Sequence, residues 1–256
     1  MQVVILCGGK GTRMREETEY RPKPLVEVGG RPIVWHIMKI YSHYGIRDFI
    51  LCVGYKGDMI KQYFIDMRWR NNDFTLHTDG SGEPEYYTAD KESWNVTVAD
   101  TGVETLTGGR LRLVRDYIRE EEFMLTYGDG LSDVDIGRLL EFHRSMGKAA
   151  TLTGVRPVSS FGVMKVEGGL VKSFKEKPIL DDWINGGFMV LNKKIFSYIP
   201  ERDCPFEEEP LKMLAEDGQL AVYEHSGFWT AIDTFKDVEK ANALWNSGQK
   251  PWKLWN

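Results

Sequence analysis

Long hydrophobic runs are missing from this chain. The two longest, Val3–Cys7 and Phe49–Val53, fall far short of the ~20 residues needed to cross a bilayer. No basic leader precedes the first of them, so no signal peptide is expected. Cysteine is sparse and odd in number: Cys7, Cys52 and Cys204. Two of the three sit inside apolar runs, as reduced core thiols of a cytoplasmic protein would. There is no excess of positive charge. Lys and Arg total 33 against 38 Asp and Glu, a formal charge of −5, so no global field draws in nucleic acid. The five histidines are scattered, without H-E-x-x-H or Cys/His metal spacing, and no G-x-S-x-G elbow is present. No Pro/Ser-rich linker and no repeat of fixed period divides the chain.

What is present reads as a folded α/β chain of 256 residues, long enough for one large domain or two small ones. Short apolar strands alternate with amphipathic segments. Strands are expected at Val3–Cys7, Leu25–Val28, Asp48–Val53, Phe74–His77, Val96–Asp100 and Glu122–Tyr127, then at Ala149–Val155, Phe161–Val166, Leu170–Lys175, Phe188–Leu191 and Gln219–Tyr223. Helices are expected from Pro32 to Gly45, at Asp58–Met67, Thr105–Ile118, Val134–Met146 and near Glu208–Glu216, with a last one from about Phe235. Pro32 suits a first helical turn, where its missing N–H costs nothing. The apolar face of the second helix is expected to be Met59, Ile60, Tyr63, Phe64 and Met67. The fold class that follows is a single Rossmann-like α/β domain with a mixed, mostly parallel central sheet and an antiparallel C-terminal extension. Residues 71–91 are polar and weakly patterned. Trp245, Trp252 and Trp255 are too many aromatics for a solvated tail, and suit packing on the core or on a neighbouring subunit.

Glycine, 26 residues against a typical ~7%, is clustered, and the clusters locate the function. The first strand runs into Gly8-Gly9-Lys10-Gly11-Thr12-Arg13, with Lys23-Pro24 ten residues on. Glycines after a parallel strand let backbone N–H groups close on phosphate oxygens. The Walker spacing is absent, and Met14 stands where the dinucleotide fingerprint needs its third glycine. Two cations beside such a turn, Arg13 and Lys23, suit a polyphosphate that must be bound and neutralised. Further on, Asp129 stands between two glycines at the end of a strand, and Asp233 precedes the last helix. Taken singly these are a turn residue and a helix cap. Together they suit Mg²⁺, which takes one or two carboxylates plus substrate phosphates.

The glycine loop followed by Lys-Pro resembles the signature of the sugar-1-phosphate nucleotidyltransferases, and later motifs arrive in that family's order. The resemblance implies that Leu6, Cys7, Gly8, Gly9, Lys10, Gly11, Thr12, Arg13, Lys23 and Asp129 hold a nucleoside triphosphate, with Arg13, Lys23 and Lys177 as the catalytic cations. It implies Mg²⁺ on Asp129 and Asp233. It places the sugar phosphate against Gly162, Glu176, Lys177, Asn185 and Gly186, segments that by themselves also read as β-turns and a surface ion pair. Residues 1–130 are then mainly the nucleotide half, and 131–256 mainly the sugar-phosphate half. In the Thr105–Arg110 segment, Thr105, Thr107, Gly109 and Arg110 are expected to close over the base. That segment, with Trp35–Lys39, Gly54–Gly57, Asp100–Gly102 and Pro251–Trp255, resembles the family's members that use CTP and glucose 1-phosphate. The resemblance also implies a homo-oligomer, a hexamer. Uridylyl or thymidylyl transfer stays open, as does a non-catalytic module that binds a nucleotide sugar.

Overall fold

The computed structural model describes residues 1–87, 92–159 and 161–255, without the side chains of residues 15 and 16. Its centre is a seven-stranded sheet. The strands are β1 (Gln2–Leu6), β2 (Asp48–Val53), β3 (Asn95–Asp100), β4 (Glu122–Tyr127), β5 (Ala150–Val155), β6 (Ile184–Asn192) and β7 (Leu220–His225). Their spatial order is β7-β5-β6-β4-β1-β2-β3. β1 is parallel to both β2 and β4, β2 to β3, and β5 to β7. Only β6 runs against its neighbours in this sheet. The expected antiparallel extension is therefore one strand inserted into the common sheet, together with a separate hairpin, Val163–Glu167 with Leu170–Lys175.

The apolar runs become central strands because both faces of the sheet are covered. Val3, Ile5 and Cys7 point into one core with α1 (Ile33–His43), while Val4 and Leu6 point into another, beside Leu111, Leu211 and Leu214. After β1 the chain passes to β2 on one side, and later returns to β4 on the other. The carboxyl ends of β1 and β4 therefore flank a topological switch point, where open α/β sheets leave a crevice for ligands.

Several boundaries moved. Helix α1 begins at Ile33, and Pro32 is its cap, because Arg31–Pro32 pairs with Glu27–Val28 as a short ribbon. The strand expected from Leu25 is a 3-10 turn, Lys23–Leu25, before that ribbon. α2 (Gly57–Ile65) stops before Asp66, and Met67–Arg70 is a separate turn. Of its expected apolar face Ile60 is buried and Tyr63 and Phe64 pack half-buried against the core, while Met59 is exposed. α3 (Thr107–Leu113) ends well before Ile118. There the Gln2 side chain donates to Tyr117 O at 3.1 Å and accepts from Arg119 N at 2.6 Å, drawing the segment onto the start of the interior strand β1. α4 (Ile136–Met146), α5 (Glu209–Glu216) and α6 (Phe235–Asn246) form where expected. Within 71–91 a short ribbon pairs Phe74–Thr75 with Glu85–Tyr86, and residues 88–91 lie outside the described residues. The tail packs within the chain: Trp252 is fully buried, and its indole N–H donates to His36 Nδ1 at 3.3 Å. No described helix is long and apolar enough to cross a membrane.

Candidate active site

A cleft of about 590 Å³ opens at the switch point. Its floor is the chain leaving β1, Leu6 to Arg13, and its far wall is Tyr127-Gly128-Asp129 leaving β4. Lys23, Thr105, Thr107, Arg110 and Asp233 also line it. Every residue assigned to the nucleotide therefore borders one cavity except Gly109. That glycine lies inside α3, where a Cβ would fall 2.0 Å from Asp203 Oδ1. Its role is to admit Asp203, whose carboxylate accepts from Leu106 N at 3.1 Å and caps the helix from outside.

The glycine loop is shaped by close approach. A Cβ on Gly8 would fall 1.9 Å from an Arg110 guanidinium nitrogen. Arg110 is buried, and its donors go to Val53 O, Thr101 Oγ1, Gly8 O and Val103 O. This side chain ties the ends of β1 and β2 together. Burial lowers the Arg110 pKa. Gly9 faces open space, and Gly11 takes φ +61°, a left-handed conformation suited to glycine. Lys10 pairs with Glu104 at 2.6 Å. Leu6 and Cys7 present backbone to the cleft, because both side chains are buried; burial also pushes the Cys7 thiol pKa up.

The charged centre joins distant parts of the chain. Lys23 Nζ is 2.7 Å from Asp129 Oδ2 and 2.6 Å from Asp233 Oδ1, while Arg13 reaches Asp233 Oδ2 at 3.2 Å. Asp129 is carried by the turn after β4. Asp233 follows a two-stranded ribbon, Gly130–Ser132 with Trp229–Ala231, and Ile232 N donates to Asp129 O at 2.9 Å. Burial disfavours the Lys23 charge, but the two carboxylates outweigh it and raise its pKa. Burial likewise works against the Asp233 carboxylate, and Lys23 and Arg13 outweigh it, holding its pKa below the ordinary value. Two carboxylates that share one ammonium offer hard oxygens to a single divalent cation, so the donor set fits Mg²⁺. Among the described residues no third acidic, His or Cys ligand joins them, which leaves the remaining positions to water and substrate oxygens.

The residues assigned to the sugar phosphate are not gathered in this cleft. Asn185 and Gly186 lie in β6, where the register with β5 shifts between Leu152 and Gly154. Asn185 Nδ2 donates to the Tyr127 hydroxyl at 3.1 Å, which brings it to the edge of the site. Gly162, Glu176 and Lys177 flank the open end of the exposed hairpin and do not line the cavity. Gly162 makes room for the Phe174 ring. The Lys177 side chain is 62% exposed with Glu176 Oε1 at 3.8 Å, and its φ of +45° is strained for a residue with a side chain. Tyr127 and Glu207 were not anticipated. The Tyr127 hydroxyl donates to Glu207 Oε1 at 2.6 Å. Tyr127 stands just before the Gly-Asp-Gly turn, a position that could have drawn notice. Glu207 opens a Glu-Glu-Glu run that in sequence reads only as a solvated face.

Residues 2–248 match the family model described as nucleotidyl transferase. Over 256 residues, the full length of both chains, the sequence is 53% identical to a protein of Bacillus subtilis (strain 168) named "Probable glucose-1-phosphate cytidylyltransferase". It is 48% identical over 257 residues, again the whole of both chains, to glucose-1-phosphate cytidylyltransferase of Salmonella typhi. The structure overlays on HddC from Yersinia pseudotuberculosis with a TM-score of 0.71 and 24% identity, covering 95% of this chain and 99% of that one. At that identity the likeness is one of fold.

Proposed function

We propose that this chain, which belongs to the nucleotidyl transferase family, transfers the cytidylyl group of CTP to glucose 1-phosphate. A phosphate oxygen of glucose 1-phosphate attacks the α-phosphorus of CTP. The bond from that phosphorus to the bridging oxygen of the β-phosphate breaks, and CDP-glucose and pyrophosphate result. The observation that carries this reading is full-length identity of about half to proteins named for that activity. The cluster of Arg13, Lys23, Asp129 and Asp233 beside a glycine loop supports the chemistry.

Phosphoryl transfer of this kind needs positioning and charge neutralisation, with no protein nucleophile. The Gly8–Gly11 backbone approaches the phosphates closely. Arg13 and Lys23 exchange their carboxylate partners for phosphate oxygens and neutralise charge on the pyrophosphate as it leaves. Asp129 and Asp233, released from Lys23, would hold Mg²⁺. The ion supplies neutralisation of charge on the reacting phosphates when bound. Lys177 orients the attacking phosphate, and Asn185 offers its amide to sugar hydroxyls. Since Lys177 stands outside the cleft here, this role requires the hairpin to approach the bound nucleotide. A homo-oligomer, in which a neighbouring copy bears on that hairpin, is part of the same reading.

The direct test is pyrophosphate release with purified protein, Mg²⁺ and glucose 1-phosphate, offering CTP, UTP, dTTP and GTP in turn. CTP is expected to support turnover far better than the others. Equal turnover with UTP or dTTP would refute the cytidylyl assignment, and no release with any nucleotide would refute the transferase activity.

A further inference from the structure

The two ends of the cleft carry opposite chemistry. Arg13 and Lys23 mark the end at Asp129 and Asp233. Elsewhere the wall is Val103, Leu106 and Pro205, and a carboxylate, Glu207, stands with them. The other acidic wall residue off the charged centre, Glu104, is neutralised by Lys10. Glu207 has no cationic partner among the described residues; its partners are hydroxyls. Tyr127 donates to Oε1 at 2.6 Å, and Thr107 donates to Oε2 at 2.5 Å. Thr107 Oγ1 in turn accepts from Phe206 N at 2.8 Å, and the Tyr127 hydroxyl accepts from Asn185 at 3.1 Å. Burial, and then the Glu207 charge, raise the Tyr127 pKa, so the phenol stays a donor and fixes the carboxylate as an acceptor.

Such a group has a narrow use. A carboxylate has about four acceptor sites and no proton to give. Two of those sites are taken, and both hydroxyls come from rigid elements, β4 and the start of α3. A triphosphate is repelled by it and attracted by the cations, so the nucleoside end of the ligand faces Glu207. The apolar wall beside it suits a flat ring. An acceptor at the edge of a base pocket pairs with a ring that presents a donor, and opposes one that presents a carbonyl.

We infer that Glu207 is a specificity-determining residue, whose carboxylate, held by Tyr127 and Thr107, accepts a hydrogen bond from the exocyclic amino group of cytosine. This rests on the cytidylyl reading above. Uracil would set a carbonyl oxygen against the carboxylate, leaving two acceptors facing each other. Glu207 is exposed to the cleft, and a base seated against it would take its free oxygen sites out of water; an acceptor left unmet there corresponds to roughly a tenfold loss in kcat/KM.

The test compares CTP with UTP as substrates for the unaltered protein, Glu207→Gln and Tyr127→Phe, by pyrophosphate release with glucose 1-phosphate and Mg²⁺. Glutamine keeps the size of the side chain and can turn an N–H toward the uracil carbonyl. The expected result is a fall of about tenfold or more in the CTP:UTP ratio of kcat/KM for Glu207→Gln. A smaller fall in the same ratio is expected for Tyr127→Phe, which keeps Glu207 but frees one oxygen. The second variant serves if the first folds poorly, and thermal melting of each reports that. Equal losses with both nucleotides, at an unchanged ratio in both variants, would overturn the inference and assign Glu207 to the ribose or to the fold. Equal use of CTP and UTP by the unaltered protein would instead refute the cytidylyl reading itself, and this inference with it.

Discussion

Lys23 and Asp129, 106 residues apart in sequence, meet at 2.7 Å, and the same ammonium holds Asp233 at 2.6 Å. A cation of the chain thus sits between the two carboxylates proposed to take a metal ion. In the absence of nucleotide, a divalent ion must displace Lys23. A triphosphate gives Lys23 another anionic partner and frees the pair.

Lys23→Met is therefore expected to tighten Mn²⁺ binding to the nucleotide-free protein by about tenfold or more, since a charge-assisted contact of ~1.5–3 kcal/mol no longer competes. Electron paramagnetic resonance of free Mn²⁺ measures this without turnover. The same variant should lose activity, because its triphosphate has lost a neutralising charge. Unchanged or weaker Mn²⁺ binding would show that the ammonium does not compete for the carboxylates.

Asp129→Asn should retain the fold and lose roughly 10²–10³ in turnover, the usual effect of removing one electrostatic contact to a transition state. Asparagine is nearly isosteric, and the backbone bond from Ile232 N to Asp129 O is untouched by the change. Circular dichroism checks the first part and pyrophosphate release the second. Near-normal turnover at ordinary Mg²⁺ would remove Asp129 from the metal site.

Lys177→Ala should raise the KM for glucose 1-phosphate by roughly tenfold or more while leaving that for CTP nearly unchanged, as expected for loss of a charge-assisted contact of ~1.5–3 kcal/mol. The exposed position of Lys177 makes loss of stability a poor alternative. Equal rises in both constants would contradict the division of labour between Lys23 and Lys177.

His36 predicts an acid-side loss of stability. Burial among Trp35, Trp245, Trp252 and Trp255 lowers its pKa from 6.5 to about 4. Its Nε2–H donates to Val28 O at 2.7 Å and its Nδ1 accepts from Trp252, so the native state holds the neutral ring. The unfolded chain takes up the proton first. Stability therefore falls as pH drops from about 6.5 toward 4, by on the order of 3 kcal/mol at the lower end. Urea unfolding at about pH 7 and about pH 5 measures the change. His36→Gln should be less stable at neutral pH but show a flatter pH dependence, and an equally steep dependence would assign the loss to other groups, among them His143.

The sequence by itself determined the strands at Asp48–Val53 and Glu122–Tyr127 and the glycine loop that follows the first strand, for a local reason. A strand buried on both faces must be apolar throughout, and a backbone that closes on phosphate must lack side chains; both leave marks within a few residues. Lys23 before a proline, Asp129 between glycines and Asp233 before a helix were legible as residue types, but their meeting was not. It depends on β4 lying beside β1 and on a ribbon that returns from Trp229–Ala231. The tertiary structure alone decided that Arg110 is spent on three backbone carbonyls and the Thr101 hydroxyl, that Gly109 makes room for Asp203, and that Glu176 and Lys177 follow an exposed hairpin. It alone brought Glu207 to Tyr127 and Thr107. Side-chain contacts across a hundred residues follow from the order of strands in a sheet, and that order is set by which faces can be buried together, a property of the whole chain that no short segment carries.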